Sequence, residues 1–252
     1  MKTLSAQNIS VLRGGKRVLH SLTTRLEPGT VTAICGPNGA GKSSLVMALA
    51  GLLEPKEGRV LLADAPLCGI SARERACAQG YLPQGSDIAW NVSVQSLVGL
   101  GRYPHRDGAS EQGRGAVESA LAAAQLEELR DRPVSSLSGG ERARALLARV
   151  LAGQPDWILA DEPLAALDLA HQLKMIAHFR SCAGAGQGVV LVLHDLAIAM
   201  NHADRVIVLS EGEKIAEGDP VTALEPSIIA RAWGVEADWL GAKGARALIT
   251  RN

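Results

Sequence analysis

The chain has 252 residues, 47 % of them apolar, which is enough for one large domain or two small ones. Lysine plus arginine and aspartate plus glutamate number 26 each, so the net charge is zero, which argues against a nucleic-acid binder that relies on a basic surface. No uncharged stretch reaches the roughly 18 residues of a membrane span, and the N-terminus lacks a signal peptide's apolar segment, so we expect a cytosolic protein. Because the cysteines form no C-x-x-C pair, we expect them to be ordinary thiols.

The first third of the chain predicts strands ahead of one helix. Residues 3–11 and 17–26 are candidate strands, and the Gly-rich turn at 13–16 predicts that they pair as an antiparallel ribbon. Residues 30–35 are short, β-branched and mostly apolar, which predicts a buried strand. Residues 44–52 predict a helix.

Between that strand and that helix lies the pattern G-x-x-x-x-G-K-[ST], which is the phosphate-binding P-loop. Glycine lets the backbone approach a phosphate closely, and the N–H groups and the helix N-terminus supply partial positive charge. Lys42 would reach the β- and γ-phosphates of a nucleotide, and the Ser43 hydroxyl would be a Mg²⁺ ligand. The predicted nucleotide-binding residues here are Gly36, Pro37, Asn38, Gly39, Ala40, Gly41, Lys42, Ser43 and Ser44.

The middle of the chain changes from strands to helices. A turn at 54–58, a strand at 59–62, a short helix at 71–78 and a strand-like run at 80–84 precede it. Residues 92–151 are mostly helical in pattern, interrupted by a polar loop at 103–112, with helical composition again over 118–129. A strong helix over 142–152 follows Ser138, a plausible N-cap, with Glu141 three residues on as in a capping box.

The last third alternates strands and helices. Strands are predicted at 157–160, 189–193, 206–209 and 214–217, with helices at 169–180 and 196–201 between them, and short helices from 221 onward. Such alternation implies a parallel sheet covered by helices on both faces. The predicted fold class is α/β: a P-loop core with a mainly parallel sheet, an N-terminal antiparallel β subdomain and an inserted helical subdomain.

The strand at 157–160 ends in two acidic residues and resembles a Walker B element. Asp161 would orient the Mg²⁺ shell, and Glu162 would polarise the attacking water. Taken alone, the pair could equally form a surface turn at a strand end.

The run Leu-Ser-Gly-Gly-Glu at 137–141, between the P-loop and the two acids, resembles the signature of the ATP-binding-cassette (ABC) ATPases. The family usually has Gln where this chain has Glu141. Gln84 matches the family's Q-loop, Asp168 ends a matching D-loop, and His194 matches the switch histidine. The resemblance extends from residue 1 to about residue 220.

The resemblance implies both a layout and a set of site residues. Residues 1–85 and 156–220 would form the nucleotide-binding core, 86–155 the helical signature subdomain and 221–252 a helical tail. ATP and Mg²⁺ would be the cofactors, with Ser43, Gln84 and Asp161 around the metal and Glu162, His194 and Gln84 in catalysis. Two copies would pair head to tail, so that one copy's signature and D-loop face the other's P-loop; these residues are Ser138, Gly139, Gly140, Glu141 and Asp168.

One departure concerns base recognition. The family usually stacks adenine on an aromatic residue of the first ribbon, whereas this chain has no Phe, Tyr or Trp before Tyr81. Arg13 could stack on the base through its planar guanidinium, or another residue could serve.

Three runs resemble the cassettes that serve importers of iron chelates, namely siderophores, haem and cobalamin. They are Gly-Arg-Tyr-Pro-His at 101–105, Ala-His-Gln-Leu at 170–173 and Leu-His-Asp-Leu at 193–196. This implies polytopic membrane permease subunits as partners, a periplasmic substrate-binding protein reached through them, and a peripheral location on the cytoplasmic face of the inner membrane.

Two other classes of cassette compete with the importer. A soluble ABC ATPase of Fe–S cluster assembly would have a similar length. A DNA-repair or chromosome-structure cassette is disfavoured, because no sustained heptad pattern separates the P-loop from the signature.

Overall fold

The computed structural model describes residues 2–85, 91–165 and 167–251. Its strands are β1 (Leu4–Arg13), β2 (Lys16–Leu26), β3 (Val31–Cys35), β4 (Glu57–Leu62), β5 (Ala65–Pro66), β6 (Gln79–Leu82), β7 (Trp157–Ala160), β8 (Gly188–Val192), β9 (Arg205–Ser210), β10 (Glu213–Gly218), β11 (Ala237–Leu240) and β12 (Ala247–Thr250). Its α-helices are α1 (Lys42–Leu49), α2 (Ala72–Ala78), α3 (Val94–Gly99), α4 (Glu111–Ala123), α5 (Gly139–Ala152), α6 (Leu169–Gly184), α7 (Leu196–His202), α8 (Pro220–Ala223) and α9 (Pro226–Trp233).

The N-terminal ribbon is part of an antiparallel sheet with the strand order β2-β1-β4-β5. Leu4 pairs with Leu26 on one side and with Leu62 on the other, and all three side chains are buried. The predicted antiparallel β subdomain is therefore confirmed. Its apolar face packs against α1, the helix that follows the P-loop.

The P-loop strand lies near the middle of a second sheet, with the order β10-β9-β3-β8-β7-β6. All neighbours pair in parallel except β10, which is antiparallel to β9. Strands β3, β7 and β8 are buried along their whole length, as expected of parallel strands covered on both faces. The prediction of a mainly parallel α/β core is confirmed, and the carboxyl ends of β3, β6, β7 and β8 meet at one edge.

The helical segment between β6 and β7 differs from its prediction at two boundaries. Helix α4 begins at Glu111, inside the predicted polar loop, because Ser110 caps it by accepting a hydrogen bond from the Gly113 N–H. It ends at Ala123, so that only a 3₁₀ turn at Glu127–Leu129 remains of the predicted helix end. Residues Leu100–His105 form another 3₁₀ turn.

The prediction of short helices throughout the tail is wrong beyond Trp233. Gly234, with a φ of 68°, ends α9 in the left-handed conformation that favours glycine, and strands β11 and β12 then form an antiparallel hairpin. Tertiary contacts hold the hairpin: the Trp239 indole N–H donates to Leu224 O at 2.7 Å, and the Asn201 side chain bonds both backbone groups of Arg246 at 2.8 Å. Local propensity did not indicate these contacts.

Across the described ranges, every helix is too short or too polar to cross a membrane.

Candidate nucleotide-binding and hydrolysis site

The P-loop is packed too tightly for side chains at two of its glycines. A Cβ on Gly36, whose φ is 153°, would lie 2.2 Å from Leu209 O, and one on Gly41, whose φ is 95°, would lie 2.5 Å from Val18 O. Only glycine fits these contacts and angles. The loop is thereby fixed between the end of β9 and strand β2, with its helix beginning directly at Lys42.

Lys42 folds back into the loop it follows. Its Nζ donates to Gly36 O at 2.8 Å and to Pro37 O at 3.0 Å, and only 6 % of the residue is exposed. Burial lowers the pKa of the Lys42 ammonium, and the nearby Glu162 carboxylate is the main opposing influence. Among the described residues no carboxylate forms an ion pair with Lys42. A poorly hydrated positive charge at a helix N-terminus is suited to bind phosphate.

Ser43 and Asp161 are brought together at the same place. The Ser43 hydroxyl donates to Asp161 Oδ1 at 3.1 Å, and burial raises the pKa of the Asp161 carboxyl. Two adjacent oxygen ligands beside a phosphate site fit Mg²⁺, which takes few protein ligands and completes its shell with phosphate and water. In the described part of the chain, no group of three or more His, Cys, Asp or Glu side chains could hold a metal ion.

Glu162 is held from two sides. His194 Nε2 lies 2.6 Å from Glu162 Oε1, and Gln84 Nε2 donates to Glu162 Oε2 at 2.8 Å. Glu162 follows β7, His194 follows β8 and Gln84 follows β6, and the carboxyl ends of these three strands meet at one edge of the sheet. Gln84, predicted at the metal, thus contacts the candidate catalytic carboxylate instead of Ser43 or Asp161.

The backbone of Glu162 is itself unusual. Its φ is 52°, in the left-handed region that residues other than glycine seldom adopt. Strain of this kind concentrates at functional sites, where surrounding contacts maintain it. With a side chain only 14 % exposed, the carboxylate has a fixed direction.

The signature segment forms the predicted capping box at the start of α5. Ser138 Oγ accepts from the Glu141 N–H at 3.3 Å, and Glu141 Oε2 accepts from the Ser138 N–H at 2.8 Å. That backbone hydrogen bond lowers the pKa of Glu141. Either Glu or Gln can fill this position of the box, which explains why Glu141 is compatible with the motif.

The signature segment lies beside the D-loop of its own chain. A Cβ on Gly140 would lie 3.6 Å from Leu167, which precedes Asp168. Asp168 caps α6, since its carboxylate accepts from the His171 N–H at 2.9 Å. Within residues 2–85, 91–165 and 167–251, no hydrogen bond joins residues 137–141 to the P-loop, so nucleotide contacts by Ser138, Gly139 and Asp168 remain a prediction for a paired copy.

Sequence reasoning named the members of this site individually but missed which of them touch. It also overlooked the buried side chain of Arg102 and its neighbour His105, although the Gly-Arg-Tyr-Pro-His run that contains them was noticed. A buried arginine could have been suspected from that run, but its partners could not.

Arg13 lies exposed at the end of β1, the first strand of the ribbon. Burial and the nearby Asp161 raise the pKa of the Tyr81 hydroxyl, and the positive charge of Arg13 opposes that shift. A guanidinium stacks more weakly on adenine than an aromatic ring, and base–aromatic stacking contributes roughly 1–3 kcal/mol per base.

We therefore expect purified protein to hydrolyse ATP and GTP with similar kcat/KM, and Arg13→Ala to raise KM for both. Arg17→Ala, in the same ribbon, is the control. A strong preference for ATP that survives Arg13→Ala would show that another group reads the base.

The chain is similar to known proteins over most of its length. The ABC transporter family model matches residues 19–165. The hemin import ATP-binding protein HmuV of Bordetella parapertussis is 38 % identical to the chain over 247 residues, which cover 94 % of each protein. Among solved structures, cbiO1 from Clostridium perfringens, part of the ABC transporter complex cbiONQ, has a TM-score of 0.79 at 28 % identity and covers 90 % of this chain and 92 % of its own. The dimeric post-hydrolysis structure of the ATP-binding cassette MJ0796, bound to ADP and Pi, has a TM-score of 0.78 at 26 % identity, covering 86 % and 98 %.

Proposed function

The chain belongs to the ABC transporter family and is an ATPase of that family, and from this we propose that it is the subunit that powers import of haem through partner membrane subunits. The observation that supports hydrolysis most directly is the clamped carboxylate of Glu162, held by Gln84 and His194 at the sheet edge that carries Lys42. The observation that supports haem is the likeness, over nearly the whole chain, to a protein named for hemin import.

The roles of the site residues follow from their positions. The P-loop amides and Lys42 bind the β- and γ-phosphates, and Glu162 orients the attacking water, with its direction set by His194 and Gln84. Ser43 and Asp161 would hold Mg²⁺, which when bound would neutralise charge on the phosphates.

We further propose that two copies pair head to tail around ATP. The capped N-terminus of α5, led by Ser138, provides a second anion-binding helix end that its own chain leaves apart from the P-loop. The likeness to the ATP-binding cassette MJ0796, whose structure bound to ADP and Pi is dimeric, supports the pairing of two copies.

The docking site that we propose for the permease is a cavity of about 580 Å³ between α2 and residues 99–108. Tyr103, 83 % exposed, and Leu100 form its apolar rim, and Arg73 and Arg106 add positive charge. An exposed aromatic beside cations suits a short cytoplasmic segment of a membrane subunit. Through the permease the chain would serve a periplasmic binding protein at the cytoplasmic face of the membrane.

Siderophores and cobalamin are the nearest alternative cargoes, since the subfamily runs do not separate them from haem. Fe–S cluster assembly, the other alternative from the sequence, has no support in the comparisons, whereas an import function does.

Deleting the gene should abolish growth when haem is the sole iron source and leave growth on a simple iron salt unchanged. A plasmid copy of the parent should restore growth on haem, and a copy carrying Glu162→Gln should not, because import requires hydrolysis. Radiolabelled haem uptake by these strains is the direct measurement. Unchanged uptake of haem, siderophores and cobalamin alike would reject the import proposal, and loss of only one of the latter two would reassign the cargo.

A further inference from the structure

Arg102 lies at the centre of a buried polar cluster that is distant from the P-loop in sequence. Only 2 % of the residue is exposed. Its guanidinium grips Asp107 with two hydrogen bonds, Nε to Oδ1 at 3.0 Å and Nη2 to Oδ2 at 2.5 Å. The remaining nitrogen, Nη1, donates to Ala152 O at 2.9 Å and to Gln154 Oε1 at 3.2 Å.

These contacts end helix α5. The last carbonyls of a helix have no partner within it and form its negative end, which favours cations and donors. Arg102 satisfies Ala152 O, and His105 Nε2 lies 2.9 Å from Gly153 O. The C-terminus of the signature helix is therefore capped by residues 100–107, which we call the clamp loop.

The clamp loop is packed on both sides. A Cβ on Gly101 would lie only 2.1 Å from Arg149 O, so the glycine allows the loop backbone to rest directly on α5. On the other side, Arg73 of α2 donates from Nε to Pro104 O at 2.7 Å. The loop is thus fixed between α5 and the helix that leads into β6 and Gln84.

The two ends of α5 serve different surfaces. Its 14 residues span about 21 Å at 1.5 Å per residue. The N-terminal end carries Ser138, and the C-terminal end carries the clamp loop, whose outer face presents Tyr103 to the proposed permease site. A helix fastened at its end moves as one piece.

We propose that Arg102 and His105 are positioning residues: they fasten the permease-docking surface to the signature helix, so that docking at Tyr103 moves Ser138 relative to the facing nucleotide. The inference rests on the proposed function. A buried ion pair is seldom more stable than apolar packing, but a bidentate arginine fixes direction, which a transmitting contact requires.

The test compares permease-dependent hydrolysis with hydrolysis by the free cassette, using the co-expressed permease reconstituted in nanodiscs. Arg102→Met with Asp107→Leu removes the ion pair without leaving a lone charge. We expect this variant to bind a fluorescent ATP analogue and the permease like the parent, but to lose the stimulation by the permease, so that its kcat falls to that of the free cassette. KM for ATP should be unchanged.

A second pair of variants guards against misfolding of the first. His105→Leu should lower the stimulated kcat in the same way, and His105→Gln, which keeps a donor for Gly153 O, should restore most of it. Tyr103→Asp should instead abolish permease binding. Arg205→Met, which breaks the 3.0 Å ion pair between Arg205 and Glu217, is the control for losing an ion-paired arginine outside the clamp loop and should keep full stimulation.

Hydrogen exchange separates transmission from docking. In the parent complex, docking should slow amide exchange both in residues 100–106 and at the start of α5; in the Arg102→Met, Asp107→Leu variant only the former should respond. Equal stimulation of the parent, of Arg102→Met with Asp107→Leu and of His105→Leu would overturn the inference while leaving the proposed function intact. An equal loss of stimulation in His105→Gln and His105→Leu would do the same. A parent cassette that the permease neither binds nor stimulates would overturn both.

Discussion

Lys42→Ala should abolish ATP hydrolysis. The ammonium lies buried within the P-loop, bonded to Gly36 O and Pro37 O, and no other described cation occupies the same loop. Removing one preorganised donor to developing charge typically costs about 10²–10³-fold in kcat, and phosphoryl transfer depends on such donors more than most reactions do. Nucleotide binding should weaken as well, because in the proposed mechanism the Lys42 charge contacts the phosphates before and during the reaction.

The measurement is steady-state phosphate release together with titration of a fluorescent ATP analogue. Lys174→Ala, which removes an exposed lysine on α6, is the control for loss of one positive charge and should retain the parent rate. Circular dichroism melts of both variants confirm folding. Hydrolysis by Lys42→Ala within a few-fold of the parent would remove the P-loop from the mechanism.

The features that were predictable from the sequence are those that local residue types determine. The P-loop glycines, the Ser138–Glu141 capping box and the buried strand β3 each depend on a short run of neighbours, and each has the conformation expected. The alternation of strands and helices likewise indicated the parallel core.

What could not be predicted depends on contacts between distant parts of the chain. The contact of Glu162 with Gln84 and His194 requires the strand order β8-β7-β6, which no single segment encodes. The tail hairpin depends on Asn201, and the cap on α5 depends on Arg102, both far away in sequence. Asp168 shows the same difference: its capping role is local, whereas the proposed contact with a nucleotide would involve a second chain.

Glu162→Gln should stop hydrolysis while leaving ATP bound. The substitution keeps the size of the side chain and one oxygen for His194 Nε2, and the Gln84 amide can turn to present its oxygen to the new NH₂ group, so the clamp persists. In the proposed mechanism, the lost negative charge is the one that orients or deprotonates the attacking water. General-base catalysis contributes about 10²–10⁴-fold, so kcat should fall by that amount, with binding through Lys42 and Ser43 retained.

The same change should favour the closed pair of cassettes. Losing a carboxylate beside the γ-phosphate relieves repulsion, so the ATP-bound dimer becomes more populated. Gel filtration with ATP, with the permease-bound complex assayed in parallel, should show this dimer for Glu162→Gln and a monomer once Ser138→Arg is added, because the bulky side chain blocks the facing nucleotide. Glu127→Gln, an exposed change in the helical segment, is the control and should behave as the parent. A Glu162→Gln complex that hydrolyses ATP at the parent rate would overturn the assignment of this carboxylate as the group that orients or deprotonates the attacking water.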